Sequence, residues 1–245
     1  MGGEGLNISE IPARVADIVY PRRCPVCDDA VDSIGRYICR SCEAAFEAVS
    51  EPYCLKCGKP LLDDSEKLCR GCEGGRHTFD RGRAAFKYDT YLKESIYRYK
   101  YGGRREYADY YVFRMTDILG SFIKSLSPDA LIPIPLHKSR LKERGYNQAE
   151  LIAQGLGKRL EIPVKCDVLI RSSKTEVQKS LNAAERQNNL KKALKISSDV
   201  VKLKNVVLID DIYTTGSTMD AAASCLKEAG VLRVFFAVLG VADKY

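Results

Sequence analysis

The chain contains no tryptophan, two histidines and three methionines among 245 residues. Without tryptophan, any stacking platform has to come from its 14 Tyr and 7 Phe. Two histidines, His77 and His137, cannot supply a three-histidine metal site, so metal binding falls to other side chains. No apolar run approaches the length of a membrane span, so no membrane insertion is expected. The opening stretch MGGEGLNISEIPARVADIVY lacks a basic start followed by an apolar core, so no secretory signal is read there and a cytoplasmic protein is expected. Hydrophobic content of 45% and charged content of 29% are globular values, which argue against wholesale disorder. The length allows a small module plus one ordinary domain.

Cysteine, by contrast, is abundant. Eight of the ten cysteines form four Cys-x-x-Cys pairs with starts fifteen residues apart: Cys24/Cys27, Cys39/Cys42, Cys54/Cys57 and Cys69/Cys72. A two-residue gap lets both sulfurs of a pair bind one ion, and two pairs complete a four-thiolate shell. Reduced thiols in a cytoplasm favour zinc over disulfides, so two zinc ions per chain are expected. The short spacers suit hairpins and favour a sequential assignment. Cys24, Cys27, Cys39 and Cys42 then share one ion, and Cys54, Cys57, Cys69 and Cys72 the other; a crossed pairing satisfies the same shell. Saturated shells leave no open position, which makes these sites structural rather than catalytic. Large apolar side chains are sparse between residues 22 and 76, and metal–thiolate bonds would supply the missing stability. Only the cysteine pairs recur at this period, which points to duplicated knuckles rather than a solenoid. Cys166 and Cys225 stand alone in apolar surroundings and are expected in the core.

Charge divides along the same boundary. Residues 1–80 carry 10 Lys/Arg against 14 Asp/Glu, whereas residues 81–245 carry 29 against 18. A polyanion should therefore meet the second part.

From about residue 80 the pattern becomes alternating. Strands are predicted at 83–88, 130–135, 165–170, 205–210 and 233–240, and helices at 91–101, 106–126, 147–160, 181–192 and 217–229. Apolar strands alternating with amphipathic helices imply an α/β fold, a parallel sheet flanked by helices. Ligands in such folds bind beyond the carboxyl ends of the strands.

At one such end stands VVLIDDIYTTGST, residues 206–218. An apolar strand leads into Asp210 and Asp211, followed by Ile212, Tyr213, Thr214, Thr215, Gly216, Ser217 and Thr218 at a helix start. Backbone N–H groups and hydroxyls around Thr214–Thr218 suit a phosphate, and Gly216 permits close approach. Acids beside an anion cradle make sense for a sugar phosphate, whose ribose hydroxyls donate to the carboxylates. No lysine follows the glycine as a Walker loop requires. The segment resembles the phosphoribosyl pyrophosphate (PRPP) motif of type I phosphoribosyltransferases. The plainer account is an ordinary strand–turn–helix in which Asp and Thr serve as caps.

Two further stretches complete a candidate site. In IPIPLHKSRLKERGYNQAE (132–150), His137, Lys138, Arg140, Lys142 and Arg144 crowd a loop that suits a pyrophosphate; His137 is assigned no acid–base role. The polar stretch RSSKTEVQKSLNAAERQNN (171–189) reads as a lid, from which Gln178, Arg186 and Asn189 could reach a ligand. Separately, Tyr97, Tyr99, Tyr101 and Tyr107 interleave with Arg98, Lys100, Arg104 and Arg105. Stacking faces plus phosphate-neutralising charges are ingredients of single-strand binding, although Tyr97 and Tyr101, at i,i+4, can equally pack against the domain.

Taken together, YPRRCPVC, KYGGRREYADY, PIPLHKSRLKERGYNQAE, the Gln178–Arg186–Asn189 pattern and VVLIDDIYTTGST resemble the ComF family from about Tyr20 to Gly240. That resemblance implies a leader or helix over 1–21, a double zinc ribbon over 22–78 and a type I phosphoribosyltransferase-like domain over 79–245. It implies PRPP with Mg2+, a role in natural competence through incoming single-stranded DNA, and other DNA-uptake proteins as partners. Asp210 and Asp211 would hold ribose, Thr214–Thr218 the 5′-phosphate and the Lys138–Arg144 loop the pyrophosphate. Three functions are compatible with these residues. They are phosphoribosyl transfer, a DNA-uptake factor whose site binds ligand without turnover, and a zinc-ribbon adaptor, which the acidic charge of the ribbon disfavours.

Overall fold

A computed structural model describes residues 21–33, 35–75, 77–172, 192–197 and 202–242. After the cysteine module come β1 (Arg81–Lys87), α1 (Thr90–Tyr101), α2 (Tyr107–Ser125), β2 (Ala130–Pro133), α3 (Lys138–Arg144) and α4 (Gln148–Leu160). They are followed by β3 (Leu169–Arg171), β4 (Leu194–Ile196), β5 (Asn205–Tyr213), α5 (Ser217–Glu228) and β6 (Arg233–Val241). Strands β1, β6, β5 and β2 form a sheet in that order, and every pairing is parallel.

The sheet is apolar on both faces, as its covering by helices requires. Val207, Ile209, Phe235, Ala237 and Leu239 join Leu92, Ile96, Tyr111, Met115 and Leu156 from α1, α2 and α4. Val206, Leu208, Val234, Phe236 and Val238 pack on the other face with Met219, Ala222 and Leu226 of α5. Polar side chains fix the helix starts. Asp89 accepts from the Leu92 N–H at 2.8 Å, and Asn147 accepts from the Ala149 N–H at 3.1 Å.

Two sequence expectations need correction. KCDVLI does not add a strand at 165–170. Only Val164 makes a parallel bridge, to Leu131, whereas β3 pairs antiparallel with β4 as a separate ribbon. The polar Lys165 and Asp167 suit neither face of a buried strand. The cationic stretch 138–144 is a short helix rather than a loop. The expected helix at 181–192 lies outside the described residues except for its last position, which is helical. Among the described residues, no helix is long and apolar enough to cross a membrane.

The cysteine module consists of two copies of one unit. Cys24 and Cys54 each open a knuckle closed by backbone bonds, Asp28 N–H to Cys24 C=O at 2.9 Å and Gly58 N–H to Cys54 C=O at 2.8 Å. Asp28 and Gly58 take the same left-handed conformation, at φ 65° and 75°. Cys39 and Cys69 then precede a helical turn, Arg40–Cys42 and Arg70–Glu73. The sequence period of fifteen is therefore a structural period of two pairs, knuckle then turn. The module is not a separate bead. Its middle segment lies along β1, with the Val49 N–H donating to the Ala85 C=O at 2.9 Å and the Lys87 N–H to the Glu47 C=O at 2.9 Å. This covers an edge strand that would otherwise offer unpaired groups. Cys24 and Cys39 belong to the core on one face of the sheet, and Cys54, Cys57, Cys69 and Cys72 to the core on the other.

Candidate functional site

Strand β5 continues past the expected end at Asp210, pairing Ile212 with Gly240 and Tyr213 with Val241. The two acids are thus held by the sheet rather than by a loop. The Asp211 N–H donates to Asp210 Oδ1 at 2.8 Å, turning that carboxylate back on the backbone. Burial, then the neighbouring Asp211 charge, push the Asp210 carboxyl up to about 7, while Lys100 and Arg171 pull the other way. Asp211 is buried, and the Lys100 ammonium of α1 lies 2.8 Å from its Oδ2.

Beyond Tyr213 the chain turns through Thr214 and Thr215, both exposed, into Gly216 at φ 84° and the start of α5. Among the described residues no side chain caps α5, so its leading amides face the turn without an internal acceptor. Thr215 Oγ1 and Ser217 Oγ lie 2.9 Å apart, and Thr218 is half-buried on the same turn. A Cβ on Gly216 would stand 2.6 Å from the Tyr213 hydroxyl and 2.9 Å from His77 Cε1, so only glycine fits this close packing. Behind the turn, His77 Nδ1 lies 2.7 Å from Asp220 Oδ2, and the Thr78 N–H donates to Asp220 Oδ1 at 2.7 Å. The junction between cysteine module and sheet therefore braces the candidate phosphate turn.

On the neighbouring strand end, His137 caps α3, its Nδ1 accepting from the Ser139 N–H at 3.2 Å. That employs Nδ1 of His137 within the cap. Lys138 and Arg140 are exposed. Arg144 donates to Gln148 and lies over the Tyr101 ring, 5.3 Å from its centroid. Arg140 and Arg144 share a cavity of about 440 Å3 with Lys100, Tyr101, Gly103 and Glu143. Gln178, Arg186 and Asn189 lie outside the described residues. The β3–β4 ribbon carries that segment, and its Arg171 is close enough to Asp210 and Arg140 for their charges to act on it.

The tyrosine–cation segment is split. Arg98 Nη2 donates to the Val26 C=O at 2.6 Å, and Arg104 is bound to Asp28. Tyr99 and Tyr107 are buried. Tyr97 and Tyr101 are exposed and pack on each other, with centroids 5.1 Å apart. Arg105 is exposed and lines a cleft of about 870 Å3 with Tyr37, Lys158 and Arg159 and with the acids Glu106 and Asp109. Lys158 and Arg159 carried no signal in the sequence, since basic residues in the last turn of a helix are common. Lys100 and Arg171 were equally silent as members of the acid site, because neither lies near Asp210 and Asp211 in the chain.

The sequential cysteine assignment matches the geometry. The sulfurs of Cys54, Cys57, Cys69 and Cys72 all lie within 4.8 Å of one another, as do those of Cys24, Cys27 and Cys42. Cys39 Sγ lies 3.9 Å from Cys27 Sγ. Tetrahedral zinc with Zn–S bonds of about 2.3 Å separates its sulfurs by roughly 3.8 Å, so both clusters fit Zn2+. Burial raises the Cys39 and Cys42 thiols, to about 12 and about 11. Cys166, expected in the core, is exposed.

Comparison with known proteins matches both parts. Residues 15–73 fit the double zinc ribbon domain, and residues 142–244 the phosphoribosyl transferase domain. The competence protein ComFC of Streptococcus pneumoniae is 31% identical over 212 residues, covering 84% of this chain and 82% of its own. ComFC of Bacillus subtilis is 32% identical over 175 residues, 66% of this chain and 67% of its own. Competence protein F of Haemophilus influenzae is 41% identical over 106 residues, 42% of this chain and 46% of its own, so the match spans about half that relative's length. A purine phosphoribosyltransferase from Pyrococcus horikoshii aligns over 54% of this chain and 74% of its own at 20% identity, with a TM-score of 0.34.

Proposed function

The chain belongs to the family of competence proteins F and ComFC, and from that premise we propose that it binds PRPP together with Mg2+ at the carboxyl end of β5. The observation that carries this reading is the adjacency of Asp210 and Asp211 to an uncapped helix start at Gly216. The carboxylates accept from ribose hydroxyls. The amides and hydroxyls of Thr214–Thr218 take the 5′-phosphate, with Ile212 and Tyr213 setting the turn. Lys138, Arg140 and Arg144 face the pyrophosphate, and Gln178 and Arg186 are assigned to the covering segment. The adjacent carboxylates of Asp210 and Asp211 are hard oxygen donors of the kind that suits Mg2+ and its bound water, and Asp211 Oδ2 is held in this structure by the Lys100 ammonium at 2.8 Å. Mg2+, when bound, supplies charge neutralisation to the pyrophosphate. The cysteine clusters hold structural Zn2+.

Such a site can support transfer. The C1–O bond to pyrophosphate breaks, pyrophosphate leaves with the electron pair, and an acceptor bonds to C1 while losing its proton. Cations fixed around the departing pyrophosphate stabilise its developing charge. A second function is proposed for the surface. The DNA utilization proteins YhgH of Escherichia coli are 34–35% identical over 107 residues, 44% of this chain and 47% of their own, and the cleft combines Arg105, Lys158, Arg159 and the Tyr37 ring with two acids, Glu106 and Asp109. Single-stranded DNA is the polyanion that such a groove suits. A cytoplasmic setting accords with reduced thiols.

Calorimetric titration with PRPP and Mg2+ tests the first reading. Asp210→Asn with Asp211→Asn should abolish binding while circular dichroism stays unchanged, and unaltered affinity would refute the site.

A further inference from the structure

Lys100 differs from the other cations of its helix in reaching the acid pair. Its side chain is 20% exposed, and its ammonium lies 2.8 Å from Asp211 Oδ2 on a side chain 6% exposed. Among the described residues that oxygen has no hydrogen-bond partner, so the ammonium is held to it by charge. On its other side Lys100 lines the cavity of about 440 Å3 that contains Arg140 and Arg144. One ammonium thus borders both the acid assigned to ribose and the cations assigned to pyrophosphate. A lysine stem has four rotatable bonds, and its head is a point charge without the directional fork of arginine. Moving it between adjacent anions needs no backbone change.

We propose that Lys100 is a shared cation that couples the two ends of the ligand: it neutralises Asp211 in this structure and passes to the pyrophosphate oxygens when an activated sugar enters, freeing Asp211 Oδ2 for a ribose hydroxyl. The inference rests on the PRPP reading and adds a basis for selectivity to it. A sugar monophosphate brings no pyrophosphate to draw Lys100 away, so it meets an Asp211 that is already engaged. An activated sugar supplies the compensating charge itself. A ligand shifts such an equilibrium only through its different affinity for the two arrangements, and the pyrophosphate is the part of PRPP that supplies that difference.

The test uses the full-length, zinc-loaded chain at pH 8 and two probes titrated separately by calorimetry, pyrophosphate with Mg2+ and ribose 5-phosphate. Lys100→Met keeps the stem and removes the charge. It should weaken pyrophosphate binding roughly tenfold or more and strengthen ribose 5-phosphate binding, because Asp211 is released. Lys100→Arg should keep the wild-type order of affinities. If Lys100→Met fails to fold by circular dichroism, Lys100→Gln replaces it with the same expectation. A parallel loss for both probes would reduce Lys100 to background charge and overturn the coupling, as would no change for either. A wild-type chain that binds neither probe would instead overturn the sugar-phosphate reading itself.

Discussion

Arg104, beyond the end of α1, clasps Asp28 of the first cysteine knuckle, Nε to Oδ1 at 2.6 Å and Nη2 to Oδ2 at 2.8 Å. The Tyr107 hydroxyl donates to the same Oδ1 at 2.5 Å. Asp28 follows Cys27 directly, so the clasp ties a metal knuckle to the segment that carries Lys100. The first cysteine cluster thereby helps to position one wall of the candidate site.

Breaking this clasp should register as stability. The hydrogen bonds of Arg104, followed by that of Tyr107, hold the Asp28 carboxyl below its ordinary 3.8. A carboxyl held low in the folded chain contributes stability that is present above 3.8 and is lost as pH falls through the folded value. Asp28→Asn should cost about 1.5–3 kcal/mol at neutral pH, the range for charge-assisted hydrogen bonds. It should also flatten the fall in melting temperature below pH 4. Denaturant melts across pH 2–7 measure both, and a variant as stable as the wild type at pH 7 would remove the clasp from the account.

Gly216→Ala should act on binding more than on folding. The φ of 84° strains any Cβ, and the Tyr213 hydroxyl and His77 ring stand where the methyl would go. The backbone part costs about 1–2 kcal/mol, and the contacts must be relieved by shifting the turn. PRPP affinity should drop roughly a hundredfold or more, equivalent to about 2.8 kcal/mol, with zinc content unchanged. An alanine variant with wild-type affinity would show that the turn does not cradle a phosphate.

The parts legible in the sequence were those whose partners lie close in the chain. Cys24 and Cys27 announce a knuckle by their own spacing, and Asp210 to Thr218 announce a turn because the strand, acids, glycine and helix start are consecutive. The sheet was legible wherever a strand was apolar on both faces, as in 205–210. KCDVLI misled because its apolar end pairs with β4 in a ribbon rather than with the sheet, a choice made by tertiary contacts. Arg98, Lys100 and Arg104 look alike as cations beside tyrosines. Their partners, Val26, Asp211 and Asp28, are distant in sequence, so nothing local shows that all three turn inward.

Asp210 should give the site a measurable pH dependence. Its carboxyl is raised to about 7, so the folded chain keeps a proton that the unfolded chain releases near 3.8. The stabilising contribution of the protonated acid is full below about 4 and declines as pH rises toward 7. Ribose hydroxyls need the ionised form, so affinity should rise between pH 5.5 and 8. Asp210→Asn should remove the Asp210 part of that slope and raise stability at pH 8, where the half-buried charge is gone, by on the order of 1–3 kcal/mol. Thermal melts and titrations at matched pH separate the two effects. A wild-type affinity that is flat over this range would mean that Asp210 is already ionised or does not touch the ligand.

Single-stranded DNA offers a sharper discrimination between surfaces. If the strand followed the tyrosine–cation segment, Arg104 would be a phosphate contact. Its clasp on Asp28 makes Arg104→Gln a stability variant instead, with a lowered melting temperature and a little-changed salt dependence. Arg105 and Arg159, which line the same cleft as Tyr37, should behave in the opposite way. Each phosphate contact on a single strand contributes about 0.7 to the slope of log K against log salt. Arg105→Gln with Arg159→Gln should therefore lower the slope by about 1.4 and leave the melting temperature within about 1 °C, since surface changes rarely exceed ±0.5 kcal/mol. Tyr37→Ala should weaken binding by about 1–3 kcal/mol if a base stacks there, with the salt slope unchanged, because stacking releases no counterions. Fluorescence anisotropy with a labelled oligonucleotide at four salt concentrations measures all of these. An unchanged slope in the double variant would move the strand off this cleft, and a reduced slope in Arg104→Gln would return it to the segment beside α1.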